Sequence, residues 1–166
     1  MTDVKQLPKE FLAEMKLLLG DEYDRYLKSF EEGFQPGLRV NTLKTEPSRL
    51  RAMVPWNLEP VPWTENGFYY GSETGADGGT RPSKHPAYYC GLYYLQEPSA
   101  MTPAAMLPVK PGDRVLDLCA APGGKSTELG ARLKGRGMLV SNDISYSRAR
   151  ALLKNLELVG DRKSVV

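Results

Sequence analysis

Apolar positions recur first at helical spacing, then at strand spacing, and finally in the alternation of strand and helix that builds a parallel sheet. Pro8 to Leu19 reads as one helix closed by Gly20, and Asp21 to Glu32 as a second closed by Gly33. In the second, Tyr23, Tyr26, Leu27 and Phe30 fall at i, i+3, i+4 and i+7. They share one face, and a stripe of that kind reads as core before it reads as a platform for stacking bases. Gly37 to Leu43 is expected to be a strand, and Pro47 to Met53 a short helix with proline at its first turn. Val61 to Trp63 and Phe68 to Tyr70 flank Glu65-Asn66-Gly67, the signature of a hairpin. Thr74 to Lys84 is rich in glycine, carries no apolar run and reads as a linker or mobile loop. Beyond it, Tyr88, Tyr89, Tyr93 and Tyr94 are dense enough to pack two parts of the chain together, and Pro98 to Met106 reads as a helix interrupted or bent at Pro103.

From there the pattern becomes strand, turn, helix, strand, helix. Arg114 to Leu118 is apolar enough for a parallel strand buried on both faces, launched by Pro111-Gly112-Asp113. It breaks into Cys119-Ala120-Ala121-Pro122-Gly123-Gly124-Lys125, after which Ser126, Thr127 and Glu128 begin a helix. Gly137 to Asn142 is the next strand and ends in Asp143, about 20 residues past the glycines. Ser145 is placed to cap a helix over Tyr146 to Leu158, and Lys163 to Val166 reads as the start of a third strand. A strand that opens through glycines into a helix, answered by an acid at that distance, is how a βαβ unit holds a nucleoside cofactor. The alanines let backbone and ligand come close, the glycines permit a tight turn, and the free amides at the helix start suit a carboxylate or phosphate.

Two other glycine-loop chemistries do not match. Gly124-Lys125-Ser126 ends like a phosphate-cradling P-loop, but Cys119 stands where its first glycine belongs. The dinucleotide fingerprint needs spaced glycines, and here the two are adjacent. A plain turn whose glycines only make a bend leaves the acid at Asp143 without a reason.

Asp117-Leu118-Cys119-Ala120-Ala121-Pro122-Gly123-Gly124-Lys125-Ser126 resembles the S-adenosylmethionine loop of the RNA cytosine-C5 methyltransferases of the Nol1/Nop2/Sun family. Leu38-Arg39-Val40-Asn41-Thr42-Leu43-Lys44 is similar to that family's N-terminal signature, with Arg39 at a basic position of it, and Tyr94 to Met101 to the segment before its first strand. Asn142-Asp143-Ile144-Ser145, with Arg148 and Asn155, resembles its second strand and following helix. Four motifs in family order cover most of the chain from residue 38 onward, and the compact N-terminal part is similar to that of the bacterial ribosomal-RNA branch.

The resemblance implies a position for each contact to S-adenosyl-L-methionine. Cys119, Ala120, Ala121, Pro122, Gly123, Gly124 and Lys125 would cradle the methionine part, Asp143 would hold the ribose hydroxyls, and Arg148 would lie against the adenosine. Read from the residues, Cys119 is a small buried side chain at a strand end. The implied reaction is methyl transfer to C5 of a cytosine in RNA, after a cysteine thiolate adds to C6. A second cysteine assists release. Those two cysteines stand in Pro-Cys and Thr-Cys contexts beyond the third strand, whereas Cys90 lies in Tyr-Cys-Gly and Cys119 in Leu-Cys-Ala. No catalytic residue is therefore assigned, and the expectation is the N-terminal portion of a longer enzyme, unable to methylate RNA by itself. The other functional class is a non-catalytic RNA- or cofactor-binding module.

Composition adds limits. With 166 residues, 41% hydrophobic and 25% charged, the chain can bury a core. Its 2 cysteines give no disulfide framework, and its 1 histidine, His85, removes most metal-ligand clusters, so no metal is expected. Met1 to Lys9 lacks the apolar core of a signal peptide and no run reaches spanning length, so the expectation is a cytoplasmic protein without a membrane partner. Residues 1–108 carry 11 basic and 14 acidic side chains and residues 109–166 carry 11 and 6, so the net charge moves from −3 to +5. Lys125, Arg132, Lys134, Arg136, Arg148, Arg150, Lys154, Arg162 and Lys163 are candidates for a phosphate-facing surface or for an ordinary solvated helix exterior.

The fold class expected is α/β. A mixed α+β domain of RNA-binding type over residues 1–73 is followed by a linker over 74–84, and then over 85–166 by the first part of a Rossmann-like, S-adenosylmethionine-dependent methyltransferase sheet. That sheet is incomplete, and its exposed edge is expected to favour self-association. RNA, ribosomal RNA in particular, is the implied partner.

Overall fold

The computed structural model describes residues 7–31, 34–71, 80–161 and 164–166. The chain divides into two compact units, residues 1–34 and 35–166.

In the first unit, helix α1 (Lys9–Leu19) ends at Gly20, whose φ of 51° breaks the helical path. A 3-10 turn (Gly20–Glu22) leads into α2 (Tyr23–Ser29), shorter than the run to Glu32 that the pattern predicts; Gly33, its expected stop, lies outside the described residues. Tyr23, Tyr26, Leu27 and Phe30 do share a face, half-buried between exposed neighbours, with the Tyr26 and Phe30 rings edge to face at 5.2 Å.

Among its described residues the second unit holds two sheets. The first is antiparallel, in the order β2-β3-β1-β4, from β1 (Gly37–Val40), β2 (Leu58–Pro60), β3 (Gly67–Tyr70) and β4 (Tyr93–Leu95). β1 pairs Leu38 with Phe68 on one side and with Leu95 on the other, so it is central and buried at all four positions. The hairpin forms, but its first strand is Leu58–Pro60 and not Val61 to Trp63. Val61 is buried beneath the turn, where its amide donates to the Gly67 carbonyl at 3.0 Å, so its apolar character reflects loop packing. Helix α3 (Pro47–Met53) matches its predicted bounds, and with α4 (Pro86–Tyr89) it covers a core of Leu38, Val40, Leu50, Leu58, Phe68, Ala87 and Tyr93.

Thr74 to Gly79 of the expected linker lie outside the described residues. Its end is tied down: Trp56 Nε1 donates to the Thr80 carbonyl at 2.7 Å, and Tyr93 Oη to that of Pro82 at 2.6 Å, within a 3-10 turn (Pro82–Lys84). β4 follows this segment in sequence and pairs with β1, so the first sheet draws on residues either side of it.

The second sheet is parallel, in the order β5-β6-β7, from β5 (Arg114–Asp117), β6 (Met138–Ser141) and β7 (Ser164–Val165). Helix α5 (Pro98–Met106) carries Pro103 within it and contacts both β1 and β3 and the next helix, α6 (Gly124–Leu133). Leu129, Leu133, Leu139 and Ala104 form the core there, and α7 (Tyr146–Val159) closes Leu152 and Leu156 over Ala120 and Ala121. β5 departs from the strand buried on both faces that its apolar run suggests: Arg114 is exposed and Leu116 is 59% exposed. Apolarity reports what a strand prefers, and among the described residues β5 pairs only with β6. The architecture is α/β, with a partial parallel sheet of Rossmann type.

Candidate cofactor site

The glycine loop runs from the end of β5 to the start of α6, and backbone bonds fix both of its shoulders. The Asn142 amide donates to the Asp117 carbonyl at 2.8 Å and the Ala120 amide to that of Asn142 at 2.9 Å, which lashes the loop's entry to the end of β6. The Gly123 amide closes the turn on the Ala120 carbonyl at 2.8 Å. Gly123 has φ +116°, open to glycine at little cost, and its missing Cβ would stand 3.2 Å from Leu152 Cδ1. A Cβ on Gly124 would meet Gln96 Nε2 at 3.0 Å. Both glycines therefore answer to protein neighbours, which lets the start of α6 sit tightly between α7 and the first sheet.

Beneath the loop lies a buried polar cluster that the sequence does not announce. Ser126 Oγ donates to Asp117 Oδ2 at 2.7 Å and lies 2.9 Å from Ser141 Oγ, joining β5, α6 and β6. All three residues are at most 7% exposed. The only hint was a small hydroxyl where a Rossmann helix meets its sheet.

Asp143 sits two residues past the end of β6, close to its expected place at the strand end, and its side chain is 3% exposed. Its Oδ2 accepts from the Ala121 amide at 3.2 Å, and its Oδ1 from the Ser145 amide at 3.0 Å. Arg148 Nη2 lies 3.5 Å from the same Oδ2 and donates to the Ala121 carbonyl at 2.8 Å. Ala121 is thereby held at both polar atoms. Asn155 Nδ2 holds the next carbonyl, that of Pro122, at 2.7 Å. Ser145 stands at the N-cap of α7 but makes no side-chain cap; Asp143 takes its amide instead.

Cys119 is exposed, which corrects the buried side chain read from its strand-end position: β5 ends at Asp117, so Cys119 is already on the outside of the loop. Pro122 is exposed, Ala120 and Ala121 are buried, and Lys125 is half-buried in the first turn of α6, which begins at Gly124 and not at Ser126. The first-turn amides of α6 have no side-chain cap and face the loop. Around it Leu118 is 63% exposed, Ile144 100% and Tyr146 81%. Uncapped first-turn amides of α6, a carboxylate with a lone pair to spare and adjoining apolar surface suit a charged nucleoside.

Other polar groups are committed elsewhere. Arg132 bonds Glu128 and the Leu107 carbonyl, which removes it from the candidate phosphate surface, while Arg162 and Lys163 lie outside the described residues. A separate cleft of about 860 Å3, lined by residues including Trp63, Met106 and Lys134, shares no residue with the loop. No group of three or more His, Cys, Asp or Glu side chains placed to hold a metal occurs among the described residues, and no described helix is long and apolar enough to cross a membrane.

Residues 7–98 match the family model for the N-terminal domain of 16S rRNA methyltransferase RsmF, and residues 104–166 that for 16S rRNA methyltransferase RsmB/F. Among curated relatives, the ribosomal RNA small subunit methyltransferase F of Vibrio cholerae serotype O1 is 35% identical over 96% of this chain and 35% of its own length. That of Erwinia tasmaniensis is 36% identical over 92% of this chain and 33% of its own. The chain thus spans about a third of the length of these relatives. A methyltransferase homologue from Pyrococcus horikoshii superposes with a TM-score of 0.79 at 27% identity, covering 96% of this chain and 56% of that one. NSun6 from the same organism, solved with SFG, shares the fold at a TM-score of 0.82 and 19% identity, over 95% of this chain and 64% of that one. On these matches the chain belongs to the RsmF family of 16S rRNA methyltransferases, within the Nol1/Nop2/Sun group.

Proposed function

We propose that this chain is the N-terminal part of an enzyme that methylates C5 of a cytosine in ribosomal RNA, and that it holds S-adenosyl-L-methionine on the loop Cys119, Ala120, Ala121, Pro122, Gly123, Gly124 and Lys125, with Asp143 and Arg148 beside it. The observation that carries this reading is the knot at Ala121, whose amide goes to Asp143 and whose carbonyl goes to Arg148. That knot joins the glycine loop to the acid after β6, 22 residues apart in sequence, which supports a shared site.

The residues fit the cofactor. The amides at the start of α6 would take its carboxylate, Asp143 keeps acceptor capacity for ribose hydroxyls, and Arg148, 58% exposed, lies beside the acid. When bound, the cofactor supplies a sulfonium methyl group. In this reading the chain's own work is binding and orientation. Cys90 and Cys119 both lack the Pro-Cys and Thr-Cys neighbours of the catalytic thiols, which supports a chain that does not methylate RNA alone.

The first sheet, completed by β4, would serve as the RNA-binding-type part, and the residues from α5 onward as the cofactor part. Lys125, Lys134, Arg136, Arg150 and Lys154 remain candidates to face RNA phosphates, while Arg148 is committed to the Ala121 carbonyl and Asp143. Exposed Leu116 on β5 supports association through that edge of the parallel sheet.

Calorimetric titration with S-adenosyl-L-methionine, beside Asp143→Ala, tests the reading. Saturable binding that the variant loses is the expected result. A folded chain that takes up no cofactor, or a variant that binds as well as the parent, would remove this site.

A further inference from the structure

Arg39 stands on β1, in the first sheet, yet its side chain ends in the first turn of α6. It is 4% exposed on that side chain, so it cannot meet RNA. Nη1 donates to Gln96 Oε1 at 2.6 Å and to the Gly124 carbonyl, and Nη2 donates to Thr127 Oγ1 at 2.7 Å. Nε lies 3.0 Å from Glu128 Oε2 as an ion pair, outside hydrogen-bond alignment. The Tyr94 ring stands 5.7 Å from the guanidinium. Thr127 in turn donates its hydroxyl to the Gly123 carbonyl at 2.7 Å.

A cation beside a helix N-terminus opposes the helix dipole, and burial draws this guanidinium below its ordinary pKa, against the pull of Glu128 and Tyr94. A buried ion pair is also weak evidence for stability alone. The fixed fork of an arginine does something else here. It takes one loop carbonyl directly and the preceding one through Thr127, and a planar trans peptide fixes its amide opposite its carbonyl. Holding the carbonyls of Gly123 and Gly124 therefore aims the amides of Gly124 and Lys125 the other way.

We propose that Arg39 is a positioning residue of the cofactor site, setting from behind the direction of the amides at the start of α6. This rests on the cofactor loop assigned above. Two neighbours in the same segment act on a different element: Asn41 Nδ2 donates to the Gly91 and Val159 carbonyls at 2.8 and 2.9 Å, and Lys44 Nζ to those of Cys90 and Leu158 at 2.9 and 2.7 Å. They fasten the end of α7 and leave the loop alone.

The test compares Arg39→Lys, Thr127→Val and Lys44→Met in this chain, reading S-adenosyl-L-methionine affinity, thermal stability and hydrogen exchange of the Thr127 amide, which donates to the Gly123 carbonyl at 2.9 Å. Lysine keeps a charge for Glu128 but not the fork, and valine keeps the shape of threonine without its hydroxyl. Both are expected to weaken cofactor binding on the order of tenfold and to speed Thr127 exchange while the chain stays folded. Lys44→Met is expected to lower stability with neither change. Arg39→Lys and Thr127→Val binding as the parent does, with Thr127 exchange unchanged, would overturn the proposal. If the parent binds no cofactor, the loop assignment fails instead, and the exchange comparison alone decides whether Arg39 sets the loop.

Discussion

The carboxylate of Asp143 accepts a hydrogen bond from the Ala121 amide at 3.2 Å, so the acid after β6 is part of the glycine loop's own scaffold. The residue proposed to hold the ribose thus also holds the loop.

Asp143→Ala therefore carries a stability cost separate from any effect on binding. It strands the Ala121 and Ser145 amides and leaves Arg148 without its carboxylate. A loss of about 1–2 kcal/mol is expected in urea unfolding. Asp143→Asn, which keeps an acceptor, should cost less.

Ser126→Ala is expected to be costlier than its size suggests. The hydroxyl serves Asp117 and Ser141 at once in a closed site. Removing it leaves a buried carboxylate oxygen short of a donor, at about 1–3 kcal/mol by chemical denaturation. Ser141→Ala, which leaves the Ser126 bond to Asp117 intact, should cost less.

Glycines of positive φ should separate by what surrounds them. Gly91, φ +66°, has no room for a side chain, because a Cβ would collide with the Leu158 carbonyl. Gly112, φ +107°, has nothing within 4 Å of the same position. Gly112→Ala should cost about 1–2 kcal/mol from backbone strain, and Gly91→Ala about 3 kcal/mol or more, since α7 must also move. Paired thermal melts check the difference.

Much of this organisation was legible where the chain carries strong punctuation. Proline at the first turn placed α3 and α5 at their observed bounds, and the acid expected beside the glycine loop does meet it, at the Ala121 amide. Not every short element was legible. β4 is three residues long and gets its pairing from β1, which no local period reveals. The hairpin's first strand shifted to Leu58–Pro60 because Val61 is apolar for burial under a turn. Arg39 stood out only by resemblance, since its hydrogen-bond partners lie 57 to 88 residues away in sequence. The exposure of β5 could not be read because a sequence states a strand's preference for cover and not the presence of a cover.

Acid should weaken the start of α5. Burial works against the Glu97 carboxylate, but bonds from the Ser99 hydroxyl and amide and from the Ala100 amide at 3.0 Å hold its pKa below the ordinary 4.5. A depressed folded value gives stability that is present above the ordinary value and lost as pH falls through the folded one. Glu97 is exposed, so Glu97→Ala should cost about 0.5–1 kcal/mol at pH 7, the low side of an N-cap loss. That gap should shrink below pH 4.5. Urea unfolding of both chains across pH 3 to 7 measures it, and a gap independent of pH would assign the effect to helix propensity.

The most direct measurement is amide chemical-shift mapping of this chain during titration with S-adenosyl-L-methionine. Saturable shifts concentrated at residues 119–125 and 143–148 are the expected result. Shifts confined to the cleft lined by Trp63, Met106 and Lys134, or none in a folded sample, would contradict a cofactor site built on the knot at Ala121.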